Sequence, residues 1–419
     1  MRIATLLRSS SAGLMLVFLA GYVLLLLSEP ITMGTVPGYG PSVLGNASYT
    51  IPFAAAACAA SGAWESARLR RGNVFGQAPS RSRLAIALPL LVPVWAMGVV
   101  GMLIAVAVAV SAAGTFPPFS HLGMFVVYAL LMAAATLAGY LLGGRLPHLA
   151  AAPLAMIAGF CLTAFPGSWD TPWPRHLVAG AYDSCCSVGS VIDPVAVWAP
   201  LLFAGGIITA CLLAIARAGR WKSLAVLVAA SVASVFLVVD MDYDPVADRN
   251  PDALVCDTAG VPEVCLWPET PGRTRVTATT RTYSGRLKDA GLPMVSSLTQ
   301  NRELKPGQAG FGGKGQVREQ DITANLANTL LPPIPECARI SHKYPAYPAR
   351  GPLTAWLTAI ATQAAPAPVQ GRVSPDDAKL AQKVLTLPSE RQRAWYEANR
   401  AALTGCDQKP ALNPEGAGR

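Results

Sequence analysis

The sequence predicts an all-α polytopic membrane protein of about seven transmembrane helices with its N-terminus inside, followed by a mainly α extracytoplasmic C-terminal domain. Three observations carry that expectation. Of 419 residues, 52% are hydrophobic and only 14% charged, against roughly 25% charged in a soluble domain. Residues 1–240 contain uncharged runs of the length that a helix needs to cross ~30 Å of hydrocarbon, about 20 residues. The Lys and Arg residues between those runs fall almost wholly on one side, as they do when short basic loops stay in the cytoplasm. A mean hydropathy of +0.39 excludes a wholly soluble, disordered or collagen-like chain.

The clear runs lie near 9–28, 84–113, 122–143, 195–216 and 223–240. Two are weaker: Val43–Ala63, diluted by Asn46, Ser48 and Pro52, and the alanine-rich Leu146–Phe165. The first run follows Arg2 and Arg8 and has the outline of a signal peptide, but no A-x-A site follows it, and the later topology would stand either way. Pro89 and Pro93 are expected to kink the third run, since each removes a helical donor. Gly139 and Gly143 form a G-x-x-x-G, a spacing that lets two helix backbones approach closely.

With all seven runs crossing, Arg2, Arg8, Arg68, Arg70, Arg71, Arg81, Arg83, Arg145, Arg217, Arg220 and Lys222 fall on the cytoplasmic side, and only Arg175 outside. The weak second run is needed, because without it the five arginines between 68 and 83 would be translocated. An odd number of spans puts the tail outside. The domains are therefore 1–242, transmembrane, and 243–419, extracytoplasmic. The net charge of +9 divides into +6 over residues 1–240 and +3 over a nearly balanced tail. It orients the protein in the lipid bilayer, and no nucleic-acid partner is expected.

Cysteine placement follows the same sidedness. Cys58, Cys161 and Cys211 sit within spans as small apolar residues. Cys185, Cys186, Cys256, Cys265, Cys337 and Cys406 all land on the outer side, where disulfides persist. Six cysteines allow 15 pairings. The expected ones are Cys256 with Cys265, closing a short Pro/Gly-containing loop, and Cys337 with Cys406, tying down the end of the tail. Zinc is the rival, but no C-x-x-C and no His at ligand spacing accompanies them, so no metal is expected.

Ionisable residues inside spans mark proton relays and ion-coupled carriers. Glu29, Glu65 and Asp240 lie only at run ends, where a solvated interfacial carboxylate is the expectation. Energy for any transport would enter from elsewhere.

Between the second and third runs, Trp64 to Arg83 reads as a short basic amphipathic helix ending at Arg71, a Gly72 stop, a small apolar piece at Val74–Phe75, and Pro79–Ser80 opening the next span. The order Glu65, Arg68, Arg70-Arg71-Gly72, Phe75 and then a Pro/Ser/Arg step resembles the loop of permeases of the type-two class of ABC exporters. That resemblance implies a coupling helix docking on a separate ABC ATPase subunit, and assembly as a homodimer or heterodimer is compatible with it. The most elaborate outer loop of such permeases lies between spans five and six, and here Pro166–Asp193 with Cys185-Cys186 occupies that place. The resemblance covers roughly residues 1–216. A seventh span, Ser223–Asp240, and an outer domain depart from it. The segment Val264-Cys265-Leu266-Trp267-Pro268-Glu269 and the Ala/Arg/Pro-rich style resemble actinobacterial permease-like membrane proteins, a similarity that brings no activity with it.

In the tail, Val276, Tyr283 and Leu287 share a helical face before Gly291 and Pro293, although the Thr-rich run at 277–282 suits a strand almost as well. Residues 294–320 are expected to be a mobile loop, and Asp321 to cap a helix carrying Ile322, Leu326 and Leu330. Pro352–Ala364 carries Leu353, Trp356, Leu357 and Ile360 at helical spacing. Ser374 followed by Pro375 starts another helix, and Pro388-Ser389-Glu390 a last one.

No H-E-x-x-H, G-x-S-x-G or Walker A loop occurs, so no catalytic residue, cofactor or enzymatic activity is expected. Gly310-Phe-Gly312-Gly-Lys-Gly315 matches G-x-G-x-x-G literally, without a preceding strand run. His176 shares its loop with Asp170 and Asp183, a weak metal or proton candidate. The function expected is a permease-like membrane subunit of an ABC-type export system in a bacterial plasma membrane. The alternative is a non-transporting receptor or anchor displaying an outer binding domain.

Overall fold

The structure, a computed structural model, describes residues 10–77, 81–301, 303–312, 317–341, 343–369 and 371–414. Arg2, Arg8, Pro79, Ser80, Lys314, Gly315 and His342 lie outside them. The chain divides into two compact units, Met1–Arg249 and Asn250–Arg419.

Among the described residues, seven helices of the first unit are long and apolar enough to cross a membrane: α1 (Ala12–Gly34), α2 (Pro41–Arg71), α3 (Arg83–Ala113), α4 (Phe119–Gly143), α5 (His148–Ser168), α7 (Pro194–Ile215) and α8 (Arg220–Val238). A short α6 (Trp173–Leu177) interrupts the loop between α5 and α7. The hydropathy of α2 is low for a physical reason. Of its most apolar window 78% is buried, against 11% in α8, so α2 is the central helix and is selected for close packing. Its Ala59, Ala63 and Gly62 meet α4 backbone to backbone: a methyl on Gly139 would overlap the Ala59 carbonyl, one on Gly143 the Ala63 carbonyl, and one on Gly62 the Thr136 carbonyl. Helix α2 begins at Pro41 and passes through a tight turn at Ser48–Thr50 before Pro52. Helix α3 continues through Pro89 and Pro93.

Beyond α8 the chain stays with this unit for several residues. Strand β1 (Ser190–Ile192) pairs antiparallel with β2 (Val246–Asp248), Val191 opposite Ala247. That pairing, with the Asp193 amide donating to the Pro245 carbonyl and the Arg249 amide to the Gly189 carbonyl, straps residues 243–249 across the loop between α5 and α7. The unit therefore ends at Arg249, beyond the expected boundary at residue 242.

The second unit is helical around a small sheet, which the expectation of a mainly α domain omitted. Strands β3 (Val255–Asp257), β4 (Glu263–Leu266), β5 (Ser297–Thr299) and β6 (Gln308–Gly310) lie in that order. The first two form an antiparallel hairpin, and β4–β5 and β5–β6 are parallel. Helix α9 (Arg273–Asp289) is the crossover between β4 and β5. It takes in the whole Thr-rich run, with Thr277 and Thr280 buried beside Val276, Tyr283 and Leu287. The segment expected to be a mobile loop instead contributes β5 and β6. Each is three residues long, too short for an alternating pattern to register, and both are ordered by pairing to β4.

Helices α10 (Glu319–Leu330), α11 (Glu336–Ser341), α12 (Arg350–Thr362), α13 (Pro375–Leu385) and α14 (Ser389–Ala402) complete the unit. Asp321 is not the cap of α10. It lies one turn in, and its carboxylate accepts from the backbone N–H of Arg318, the N-cap residue. Ser374 does cap α13, its hydroxyl accepting from the Asp377 amide at 3.1 Å. One core joins sheet and helices through Val264, Leu287, Leu298, Leu326, Leu353 and Trp395.

Candidate functional site

The step between α2 and α3 contains the residues that the sequence singles out. Nothing breaks the helix between Pro52 and Arg71, so the expected separate amphipathic helix is the last two turns of α2 itself. Within those turns Glu65 is completely buried, at 0% exposure, rather than a solvated carboxylate. Glu29 and Asp240 are exposed.

A buried carboxylate requires compensation, and Glu65 has it from two directions. The backbone N–H and hydroxyl of Ser11 both donate to Oε1, at 3.1 and 3.2 Å. Ser11 is the N-cap of α1, so the negative charge sits on the positive end of that helix. Oε2 is held by charge rather than by an aligned hydrogen bond, 3.0 Å from Nη2 of Arg68 one turn on. Glu65 thereby pins the start of α1 to the end of α2.

Three further cations of the step, Arg70, Arg71 and Arg83, are held by different means. Arg70 donates to the Leu146 carbonyl at 2.6 Å and to the Gly144 carbonyl at 3.3 Å, bracing the turn between α4 and α5. The Arg71 guanidinium lies 5.3 Å from the Trp64 ring, and that of Arg83 lies 4.7 Å from the Phe75 ring. Phe75 is half-buried against the cluster of Leu69, Leu91 and Leu137. The helix stop is not made by Gly72 alone: Gly72 has an ordinary negative φ, and Asn73 takes the left-handed conformation at φ 46°. Helix α3 starts at an N-cap Ser82, whose hydroxyl accepts from the Ala85 amide. Of the residues singled out, Arg70, Arg71 and Gly72 are exposed, Arg68 and Phe75 half-buried, and Glu65 interior.

A second cluster lies where the strap crosses the α5–α7 loop. His176 is completely buried, and its Nε2 lies 2.7 Å from the Asp242 carbonyl while Nδ1 has no partner. The Tyr243 hydroxyl donates to the Asp170 carbonyl, and Arg175 stacks 4.4 Å from the Tyr243 ring. His176, Asp170 and Asp183 do not converge as ligands. Among the described residues the group of His, Cys, Asp and Glu close enough to share an ion is Cys256, Glu263 and Cys265, and its two sulfurs are bonded to each other. The other sulfur pairs are Cys185–Cys186 and Cys337–Cys406. Cys58, Cys161 and Cys211 are free thiols. A strand does precede the glycine motif, since β6 ends at Gly310. Gly312 is tied to the Asn325 side chain on α10, and the rest of the motif lies outside the described residues.

The second unit carries a trough between α10, α12 and the segments 364–369 and 371–373. One lobe holds about 520 Å3 and is floored by Ala324, Val373 and the threonines of α12. The other holds about 330 Å3 and is edged by Asn328, Tyr347 and Asp377. Both lobes share Ala324, Thr354 and Arg372. Sequence reasoning missed this feature, because its walls come from segments that become neighbours only on folding.

No curated protein and no solved structure matches this chain. Residues 264–406, about a third of the chain, are similar to a family described as a domain of unknown function, DUF7224, and that stretch contains the whole trough.

Proposed function

We propose that the chain is a permease-like membrane subunit of an ABC-type export system. It lies in a bacterial plasma membrane, N-terminus inside and C-terminal unit outside, and a separate cytoplasmic ATPase energises it by docking on the step between α2 and α3. The observation that supports this reading is the construction of that step. Arg70, Arg71, Gly72 and Asn73 form an exposed cationic corner, and the buried Glu65 joins that corner to the start of α1. A push on the corner is thereby passed to two helices at once. A loop whose only task was to keep positive charge inside would need neither a fully buried carboxylate nor a braced arginine.

Thiol labelling in cells tests the sidedness in a background with Cys58, Cys161 and Cys211 replaced by Ala. Gln77→Cys should react with an impermeant reagent only after permeabilisation, and Asp376→Cys in intact cells; the reverse pattern overturns the proposal. Co-expression with an ABC ATPase encoded beside this chain tests the docking. Copurification should be lost in Arg71→Glu/Asn73→Glu, and an undiminished complex counts against the assignment. The second reading, a non-transporting receptor or anchor, draws on the trough of the C-terminal unit. It gains if no ATPase copurifies from a chain with the stated topology.

A further inference from the structure

We propose that the trough of the C-terminal unit is a binding site for an extended acidic peptide of small residues, an inference independent of any ATPase. Four features of the lining select that class. The floor is built from small side chains, and on α12 Thr354, Thr358 and Thr362 recur every fourth residue, which puts them on one face. Thr354 and Thr362 turn their hydroxyl protons back to the carbonyls of Arg350 and Thr358, and the Thr362 oxygen also accepts from the Ala364 amide at 3.3 Å. The site is therefore shallow and partly apolar, suited to Ala-sized side chains.

The second feature is charge. Arg372 stands where the lobes meet, half exposed, and its ion pair with Asp321 is long at 3.7 Å. Asp321 is shared with Arg318, at 3.3 Å. The other charged groups of the lining each have a partner within the chain. Glu319 accepts the Tyr283 hydroxyl, Asp377 accepts the amide and hydroxyl of Ser374, and Arg350 donates to the Pro332 carbonyl at 2.9 Å. One carboxylate between two guanidiniums leaves room for a second carboxylate, supplied by the ligand, at Arg372.

Third, among the described residues no hydrogen-bond partner is found for the Asn328 amide or the Thr358 hydroxyl, and the two line different lobes. They offer donor and acceptor groups to a peptide backbone, whereas a fatty acyl chain would leave them unsatisfied. Fourth, the lobes run on from one another through Ala324, Thr354 and Arg372, so a chain can lie along both. The exposed Tyr347 ring lines the second lobe.

The test uses the full-length protein in detergent and a fluorescein-labelled pool of pentapeptides. Each has a central Asp and Gly, Ala, Ser or Thr elsewhere, and is matched by a pool with central Asn. Anisotropy should show saturable binding of the Asp pool and at least about tenfold weaker binding of the Asn pool, since a hydrogen bond to a charged group is lost. Arg372→Ala should reduce the Asp pool to the level of the Asn pool without weakening the latter, and Arg372→Lys should recover part of the difference. Thr358→Trp should block both pools. Variants are compared only at unchanged melting temperature, and if Thr358→Trp fails to fold the arginine pair decides. Equal binding of the two pools, no saturation at millimolar peptide, or equal competition by octanoate would each overturn the proposal.

Discussion

Removing the Glu65 carboxylate should loosen the junction of α1 and α2 by an amount the geometry sets. Two bonds from Ser11 end on Oε1, and the Arg68 guanidinium faces Oε2. A hydrogen bond to a charged group contributes roughly 1.5–3 kcal/mol, but Ser11 is only half-buried and the Arg68 side chain is 38% exposed. Water replaces part of each interaction, and the ion pair is discounted to about 0.5–1 kcal/mol. Glu65→Ala should therefore cost about 2–4 kcal/mol. Glu65→Gln, which keeps an acceptor for Ser11 and loses the charge, should cost about half as much. In a unit of this size 1 kcal/mol shifts the melting temperature by roughly 2–4 °C. Intrinsic fluorescence of the detergent-solubilised protein should thus report a fall of about 5–10 °C for the alanine variant. Ser11→Ala and Glu65→Ala together should be less than additive. A Glu65→Ala protein melting within a degree of the parent would refute the view that a buried carboxylate holds these helices together.

Two further outcomes follow from the disulfides and from His176. The chain-entropy argument assigns roughly 4 kcal/mol to Cys337–Cys406, which spans 69 positions, and about 2.5 kcal/mol to Cys256–Cys265, which spans nine. Denaturant unfolding of Cys406→Ser should accordingly lower the transition of the C-terminal unit further than Cys265→Ser does, and the opposite order would contradict it. Burial holds the His176 imidazole below its ordinary value, and Arg175 adds to this, against the Asp242 carbonyl, Asp193 and Asp244, which act the other way. The opened state therefore binds protons first, and the strap is at full stability above pH ~6.5 and weakens as pH falls below it. Hydrogen exchange at residues 241–249, corrected for intrinsic rates, should rise between pH 7 and 5.5 in the parent and stay flat in His176→Gln. Identical profiles would remove His176 from the latch.

What the sequence determined by itself is whatever depends on neighbours along the chain. The seven apolar helices need only their own length and hydropathy, and each lies close to where its run was read. Ser374 before Pro375 caps α13 because the capping hydroxyl and the amide it accepts are three residues apart. The tertiary structure decided what depends on distant segments. Glu65 reads as an ordinary end-of-span acid until Ser11 is brought onto it from 54 positions away. Strands β5 and β6 are three-residue pieces without a pattern of their own, and they become strands by pairing to β4. The low hydropathy of α2 reads as a weakness of the second span, yet it reflects a helix surrounded by other helices, where small side chains matter more than apolar ones. Hydropathy records transfer from water and is a property of each residue, whereas burial of a charge or pairing of a strand is a property of two places at once. The fold brings those places together.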